Sequence, residues 1–319
     1  NIAYLRPETA QAIFVQFKNV MDSSRVKVPF GIGQIGKAFR NEITPRNFTF
    51  RSREFEQMEL EYFLKPDEAI QLLHGSVVRW QEGADLSTPQ AHWGWEMWHR
   101  YWVDQRTQYY ASIGLGEDAL AYQWQTPEEL AHYARATVDI LFKFPFGTEE
   151  LEGIAARGNF DLAQHQHHSG KSLEVFDEEL KVAAEKLDAD QRGTFIDECF
   201  EDRAKADTTR EEIAASCEKL FQGMYLPHVI EPSAGLDRLA LAILAHAFDE
   251  ETLTNEAGKT EVRTVLRFHP RIAPIKCGIF PLLKNRPELV AKTKEIVAML
   301  RPHMAIYYDE SGAIGRRYR

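Results

Sequence analysis

Cysteine is scarce in this sequence: three in 319 residues, Cys199, Cys217 and Cys277, with no CxxC spacing among them. An odd, scattered set argues against a disulfide framework and a cysteine-built zinc centre, so a reducing, cytoplasmic setting is the expectation. Long apolar runs are lacking as well. Nothing approaches the roughly 20 consecutive apolar residues of a membrane-crossing helix, and the start shows no signal-peptide pattern. Positive charge is in deficit, with a formal net charge of −10. That balance argues against a protein that coats nucleic acid over its whole surface, because phosphate contacts need dense Lys and Arg, but it leaves room for one basic patch. The opening NIAYLRPETAQ has no initiating methionine and the closing AIGRRYR has neither helix cap nor polar tail, so both ends read as truncation points.

What is present is enough apolar residue, 44%, to bury a sizeable core in a chain long enough for about two domains. The densest chemistry lies in residues 36–63, GKAFRNEITPRNFTFRSREFEQMELEYF. Two alternating runs flank an arginine-loaded turn containing Pro45 and Asn47, which predicts an antiparallel hairpin with a long basic tip. A period of two puts Arg40 and Glu42 on one face of the first run, and Phe55, Gln57 and Glu59 on one face of the second. Turned into a common cleft under Arg46, Arg51 and Arg53, these groups would suit a purine nucleotide and its phosphates. Turned to solvent, they would be surface ion pairs.

Elsewhere the pattern predicts an amphipathic helix within residues 4–21, with Pro7 in its first turn and Glu8 at its positive end. Residues 66–136 read as helical and rich in tryptophan, an aromatic stripe expected to serve packing. Strands are expected at 137–144 and after Gly147. Arg157 would neutralise a carboxylate or phosphate, or form a structural ion pair. His165, His167 and His168 lack the further ligands of a tetrahedral zinc site, and no zinc is expected. Charged helices without evident caps are expected over 178–222. Residues 226–248, LPHVIEPSAGLDRLALAILAHAF, read as a strand ending at Pro232 and a turn with Ser233 as N-cap and Gly235 permitting close approach. A helix follows, with Leu236, Leu239, Ala240, Ile243, Leu244 and Ala247 on its buried face. From Val262 a strand, a helix and another strand suggest a separate α/β unit.

The order FRNE, basic loop, REFEQME resembles motif 2 of the class II aminoacyl-tRNA synthetases, and GLDRLA resembles their motif 3. With RPETAQ, the likeness is greatest to the glycyl-tRNA synthetases of homodimeric type, and it covers nearly the whole chain. The resemblance implies an α+β fold, with a catalytic domain over 1–261 built on an antiparallel sheet flanked by helices. Insertions would lie at about 66–136 and 178–222, and the start of an α/β anticodon-binding domain at 262–319. It implies a ligase that activates glycine with ATP and transfers it to tRNA(Gly), with Mg²⁺ bridging the ATP phosphates. A homodimer is implied too, although motif 1, which builds the dimer interface, is not visible.

Carried onto this sequence, the resemblance makes Arg40, Glu150 and Arg238 the expected catalytic groups. Arg40, Asn41, Glu42, Phe50, Arg51, Arg53 and Phe55 would hold ATP together with Glu150, Leu151, Gly235 and Arg238. Within that set Glu42 would reach the adenine amino group, Phe55 would stack on the ring, and Arg238 would clamp the terminal phosphates. Glu8, Gln57, Glu59, Glu231 and Ser233 would form the glycine pocket. Glu150 would bind magnesium, shared with Glu231 if that residue does not hold the ammonium. Two other readings remain open. One is another class II synthetase, of threonyl, prolyl or seryl type, which would need a side-chain reader. The other is a synthetase-like, non-catalytic RNA-binding or polymerase-accessory protein, which would be expected to lose the ATP residues found here.

Overall fold

The computed structural model describes residues 2–203, 209–254, 258, 260–312 and 317. The chain runs through α1 (Ala10–Ser24), the strands β1 (Phe30–Phe39) and β2 (Glu54–Leu64), helices α2 (Asp67–His74) and α3 (Trp95–Ser112), and strands β3 (Leu120–Trp124), β4 (Ala136–Phe144) and β5 (Gly147–Gly158). Helix α4 (Phe160–Ser169), the short β6 (Val175–Phe176), helices α5 (Glu178–Ala184), α6 (Ala189–Arg203) and α7 (Arg210–Phe221), and the short β7 (Met224–Tyr225) lead to β8 (His228–Gly235) and α8 (Leu236–Ala247). An antiparallel pair, β9 (Phe248–Thr254) and β10 (Thr260–Leu266), precedes β11 (Cys277–Ile279), α9 (Pro287–Leu300) and β12 (Ile306–Tyr308).

Two compact units divide the chain, one of Asn1–Ala111 with Leu115–His246, the other of Ser112–Gly114 with Ala247–Arg319. The division falls ahead of β9 rather than at Val262, because β9 and β10 pair from Phe248↔Leu266 to Thr254↔Thr260 and so stay together.

The first unit is built on an antiparallel sheet in the order β1-β2-β8-β5-β4-β3. Side chains alternate between the faces of a pleated strand, so the register aligns Gln34, Glu59, Ser233, Gly153, Asp139 and Gln123 in one row across a single face. In the next row Ala155 pairs with Glu231 and with Thr137. Glu61 falls opposite Glu231, between the pairs Glu59↔Ser233 and Tyr62↔Ile230. Helices α1 and α4 cover the far end of this face. Phe63 packs there against Phe17 at 4.5 Å and Phe14 at 6.3 Å between ring centres. The Gln57 end stays open as a cleft.

Helix α3 covers the other face. Tyr62 meets Trp98 and Trp102 at 5.1 Å, and His99 Nε2 donates to the Ile154 carbonyl at 2.9 Å. The aromatic stripe is packing, but residues 66–136 are not helical throughout: β3 closes one edge of the sheet.

Four local expectations change. Helix α1 begins at Ala10, so Pro7 and Glu8 precede it; the Thr9 amide and hydroxyl donate to Glu59 instead of capping the helix. Strand β8 continues through Pro232 to Gly235, so Ser233 is a strand residue rather than an N-cap. Helix α8 leaves that strand without a turn, so its phase follows β8: Leu239, Ala242 and Ala247 are buried, whereas Ala240 and Leu244 are exposed. The helices of 178–222 do carry caps, Asp177 on α5 and a Thr209–Glu212 capping box on α7. They enclose Phe195, Cys199, Ile213, Cys217 and Phe221. Residues 204–208 of that stretch lie outside the described residues.

In the second unit β11 and β12 are parallel and α9 connects them, as parallel strands require a crossover. Helix α9 buries Thr293 and Val297.

Candidate active site

At the mouth of the cleft β1 ends, and the Arg40 amide donates to the Arg53 carbonyl at 3.0 Å, closing the base of the basic loop. Arg40 and Glu42 are therefore loop residues, not strand residues. Arg40 Nε donates to the Pro7 carbonyl at 3.1 Å, and its guanidinium stands 5.2 Å from the centre of the Phe55 ring. Glu42 approaches Arg51 at 3.8 Å and its carbonyl accepts from Arg53 Nε at 2.9 Å. Phe50 is buried against Phe144 and Phe146, each at 5.1 Å, and the Arg238 guanidinium lies 4.5 Å above its ring. Phe50 thus forms a base under Arg238. Arg238 Nη1 donates to the Glu150 carbonyl and Oε2, both at 3.2 Å. Between these groups lies a cavity of about 120 Å³ bordered by Arg40, Phe55, Gln57, Glu150, Ser233 and Arg238. A register shift between Ile140 and Leu141 marks a bulge at this point of the sheet. Leu151 is buried there while Glu150 is exposed. Asn41 is exposed, and a methyl group added at Gly235 would lie 3.4 Å from Arg238 Cγ.

One row deeper is a nest of carboxylates. Glu59 is saturated: Oε2 accepts from the Thr9 amide at 2.9 Å and from the Thr9 hydroxyl, and Oε1 accepts from Gln57 Nε2 at 3.0 Å and Ser233 Oγ at 2.9 Å. Arg157 Nη1 donates to both oxygens of Glu231, at 2.7 and 2.8 Å, while its Nε and Nη2 donate to Asp161 at 2.8 and 2.9 Å. Tyr133 lies 4.2 Å from that guanidinium. This buried clamp engages both oxygens of Glu231. Arg157 neutralises carboxylates here rather than a phosphate. Glu8 accepts from Gln11 Nε2 at 3.0 Å.

Glu61 has no exposed surface and neither oxygen has a partner. Burial, then the charge of Glu231, pushes its carboxyl well above the usual range. Burial pushes Glu231 up to about 7, against the pull of Arg157. Because Arg157 bonds Glu231 directly, we place the charge on Glu231 and the proton on Glu61.

No family model matches the chain. It is 45% identical over 322 residues to the Glycine--tRNA ligase of Rhodopirellula baltica, an alignment covering 99% of this chain and 51% of that protein. Against the Glycine--tRNA ligase of Thermus thermophilus the identity is 45% over 320 residues, covering 100% and 52%. Against that of Lachnospira eligens it is 44% over 319 residues, covering 100% and 53%. This chain is a relative of the glycine-tRNA ligases. It spans about half the length of the curated relatives it matches.

For a glycine-tRNA ligase relative, the expected nucleotide residues Arg40, Phe55, Glu150 and Arg238 do converge, as do Glu59, Glu231 and Ser233 one row away. Thr9, Gln11, Glu61, Asp139 and Asp161 were not singled out by sequence. Glu61 could have been found as the next residue on the Gln57–Glu59 face, and Asp161 by its four-residue spacing from Arg157; Thr9 and Gln11 gain their roles only through packing. Hard oxygen donors suited to Mg²⁺ are present. A Cβ at Gly153 would lie 3.4 Å from Asp139 Oδ1 and 3.8 Å from Glu150 Oε1, so both carboxylates lean over the one residue without a side chain. Among the described residues no group of three or more His, Cys, Asp or Glu could hold a metal, so such a cation would rely on phosphate oxygens and water.

Proposed function

We propose that the first unit is the adenylation site of a glycine-tRNA ligase, which joins glycine to the α-phosphate of ATP and then passes the glycyl group to tRNA(Gly). The observation that carries this reading is the meeting, on one sheet face, of the Arg40–Phe55–Arg238 cleft with the Glu59–Glu231–Ser233 nest. An oxygen of the glycine carboxylate attacks the α-phosphorus. The bond to the β-phosphate oxygen breaks, and pyrophosphate leaves. Arg40, held over Phe55 by the Pro7 carbonyl, stands where charge grows on the α-phosphate. Arg238 is paired with Glu150; phosphates entering the cleft would take Arg238 and leave Glu150 for the cation. Mg²⁺ held by Glu150 and Asp139 would supply charge neutralisation on the phosphates. Adenine would lie against Phe55, within reach of Glu42.

Glycine has no side chain to grip, so the pocket must select by excluding larger ones. Ser233 Oγ, locked by Glu59, forms a wall that does not yield, while Glu8 and Glu231 supply negative charge for the ammonium. Saturated by four donors, Glu59 serves to fix Thr9 and Ser233 in place.

We assign tRNA(Gly), ATP and glycine as partners, a homodimer as the working form and the cytoplasm as the setting, with the second unit as the start of an anticodon-binding domain. The experiment is amino-acid-dependent pyrophosphate exchange on the full-length protein with glycine, alanine, serine or threonine. Exchange with glycine alone is the expected result. Exchange with another amino acid would move the specificity elsewhere in class II, and none in a folded, RNA-binding sample would favour a non-catalytic role.

A further inference from the structure

Gln11 lies in the first turn of α1, two residues beyond Thr9. Its amide nitrogen donates to Glu8 Oε1 at 3.0 Å and to Asp161 Oδ1 at 3.2 Å. Its amide oxygen is 2.8 Å from His165 Nε2. Both amide hydrogens therefore go to carboxylates, and the oxygen, which would repel them, faces a ring N–H. That pattern requires a proton on His165 Nε2. The His165 ring is itself seated beside Phe14, at 6.1 Å.

Asp161 is also the carboxylate that anchors Arg157, and Arg157 holds Glu231. One amide thus touches Glu8 directly and reaches Glu231 through Asp161 and Arg157. These two carboxylates come from distant parts of the chain, the segment before α1 and strand β8, and no other side chain hydrogen-bonded to Glu8 is seen among the described residues. Without the amide, Glu8 and Asp161 would be two carboxylates with no donor between them. Glu8, only half-buried, would be the one to swing away.

We infer that Gln11, oriented by His165, is a positioning residue that sets the spacing of the Glu8 and Glu231 carboxylates around the substrate's ammonium group. This rests on the function proposed above. It also gives His165, the one histidine of its cluster turned towards the fold, a role unrelated to metal binding.

The test compares full-length parent, Q11M, H165F and the double variant by glycine-dependent pyrophosphate exchange, with thermal unfolding to check the fold. Methionine keeps the length of Gln11 without its donors, and phenylalanine keeps a ring beside Phe14. Q11M is expected to raise KM for glycine by roughly tenfold or more, with KM for ATP and kcat within about twofold, the signature of lost ground-state binding of one substrate. H165F should raise KM for glycine by roughly threefold, and the double variant should be no worse than Q11M, because His165 acts only through Gln11. An unchanged glycine KM in Q11M, equal rises for glycine and ATP, or additive effects in the double variant would each overturn the inference. If Q11M does not fold, an unchanged glycine KM in H165F overturns it instead. A parent that exchanges nothing with glycine would remove the proposed function first, and this role with it.

Discussion

Glu61 faces Glu231 across the β2–β8 pairing, Glu59 on its own strand, and Arg157 and Asp161 from β5 and α4, and no hydrogen bond reaches it. Like charges directly opposite one another in a sheet are destabilising, and a proton on Glu61 relieves that repulsion. Its folded carboxyl lies well above its unfolded value of 4.5. The folded chain therefore keeps a proton that the unfolded chain has lost, and Glu61 costs stability increasingly as pH rises from 4.5 towards the folded value. E61Q, which imitates the protonated acid and cannot ionise, should be more stable than the parent at pH 7.5, by about 1.4 kcal/mol for each pH unit above 4.5 over which the folded chain keeps a proton the unfolded chain has lost. Its advantage should shrink at pH 5. Urea unfolding at the two values checks this, and equal differences at both would contradict it. The like parity of Gln57, Glu59 and Glu61 could be read directly from the sequence. That Glu231 stands opposite could not, because it depends on pairing between strands about 170 residues apart.

The docking of α3 onto the sheet depends on a histidine with the opposite sign. His99 is buried, donates to the Ile154 carbonyl, and is pushed down to about 4, chiefly by burial. The unfolded chain takes up a proton near the ordinary value of 6.5 while the folded one does not, so stability falls as pH drops through the window from 6.5 to 4. The shift corresponds to about 3 kcal/mol. H99Q should flatten that acid-side loss in stability curves taken between pH 7 and 4, and an unchanged slope would mean that other groups carry it. At this scale the hairpin β1–β2 was legible because alternation and an arginine-rich turn coincide. Strand β3 was not, since its five residues are mostly exposed and their place is set by pairing with β4. Ser233 was misread as a cap because Pro232 suggested a strand end. In the fold, neighbours on both sides carry β8 through that proline.

For the whole molecule, the two compact units each bury side chains of their own, so damage to one should be separable from the chemistry of the other. V297A removes buried atoms from α9, and it is expected to cost the second unit about 1–2 kcal/mol while leaving the glycine and ATP constants of pyrophosphate exchange within about twofold. A collapse of exchange at a temperature where the variant is still folded would show that the units are not independent in function.

The sequence by itself determined the local chemistry: which residues alternate, where the basic loop lies, and which arginines and carboxylates stand near one another along the chain. These follow from periodicities of a few residues and from side-chain type. Only the tertiary structure decided which charges face each other. Arg157 goes to Glu231 and Asp161, Glu59 to Thr9 and Ser233, Gln11 to Glu8, and Glu61 is left without a hydrogen-bond partner. Hydrogen bonds and ion pairs act over a few ångströms of space regardless of sequence distance, and which groups come within that range is fixed by strand order and register.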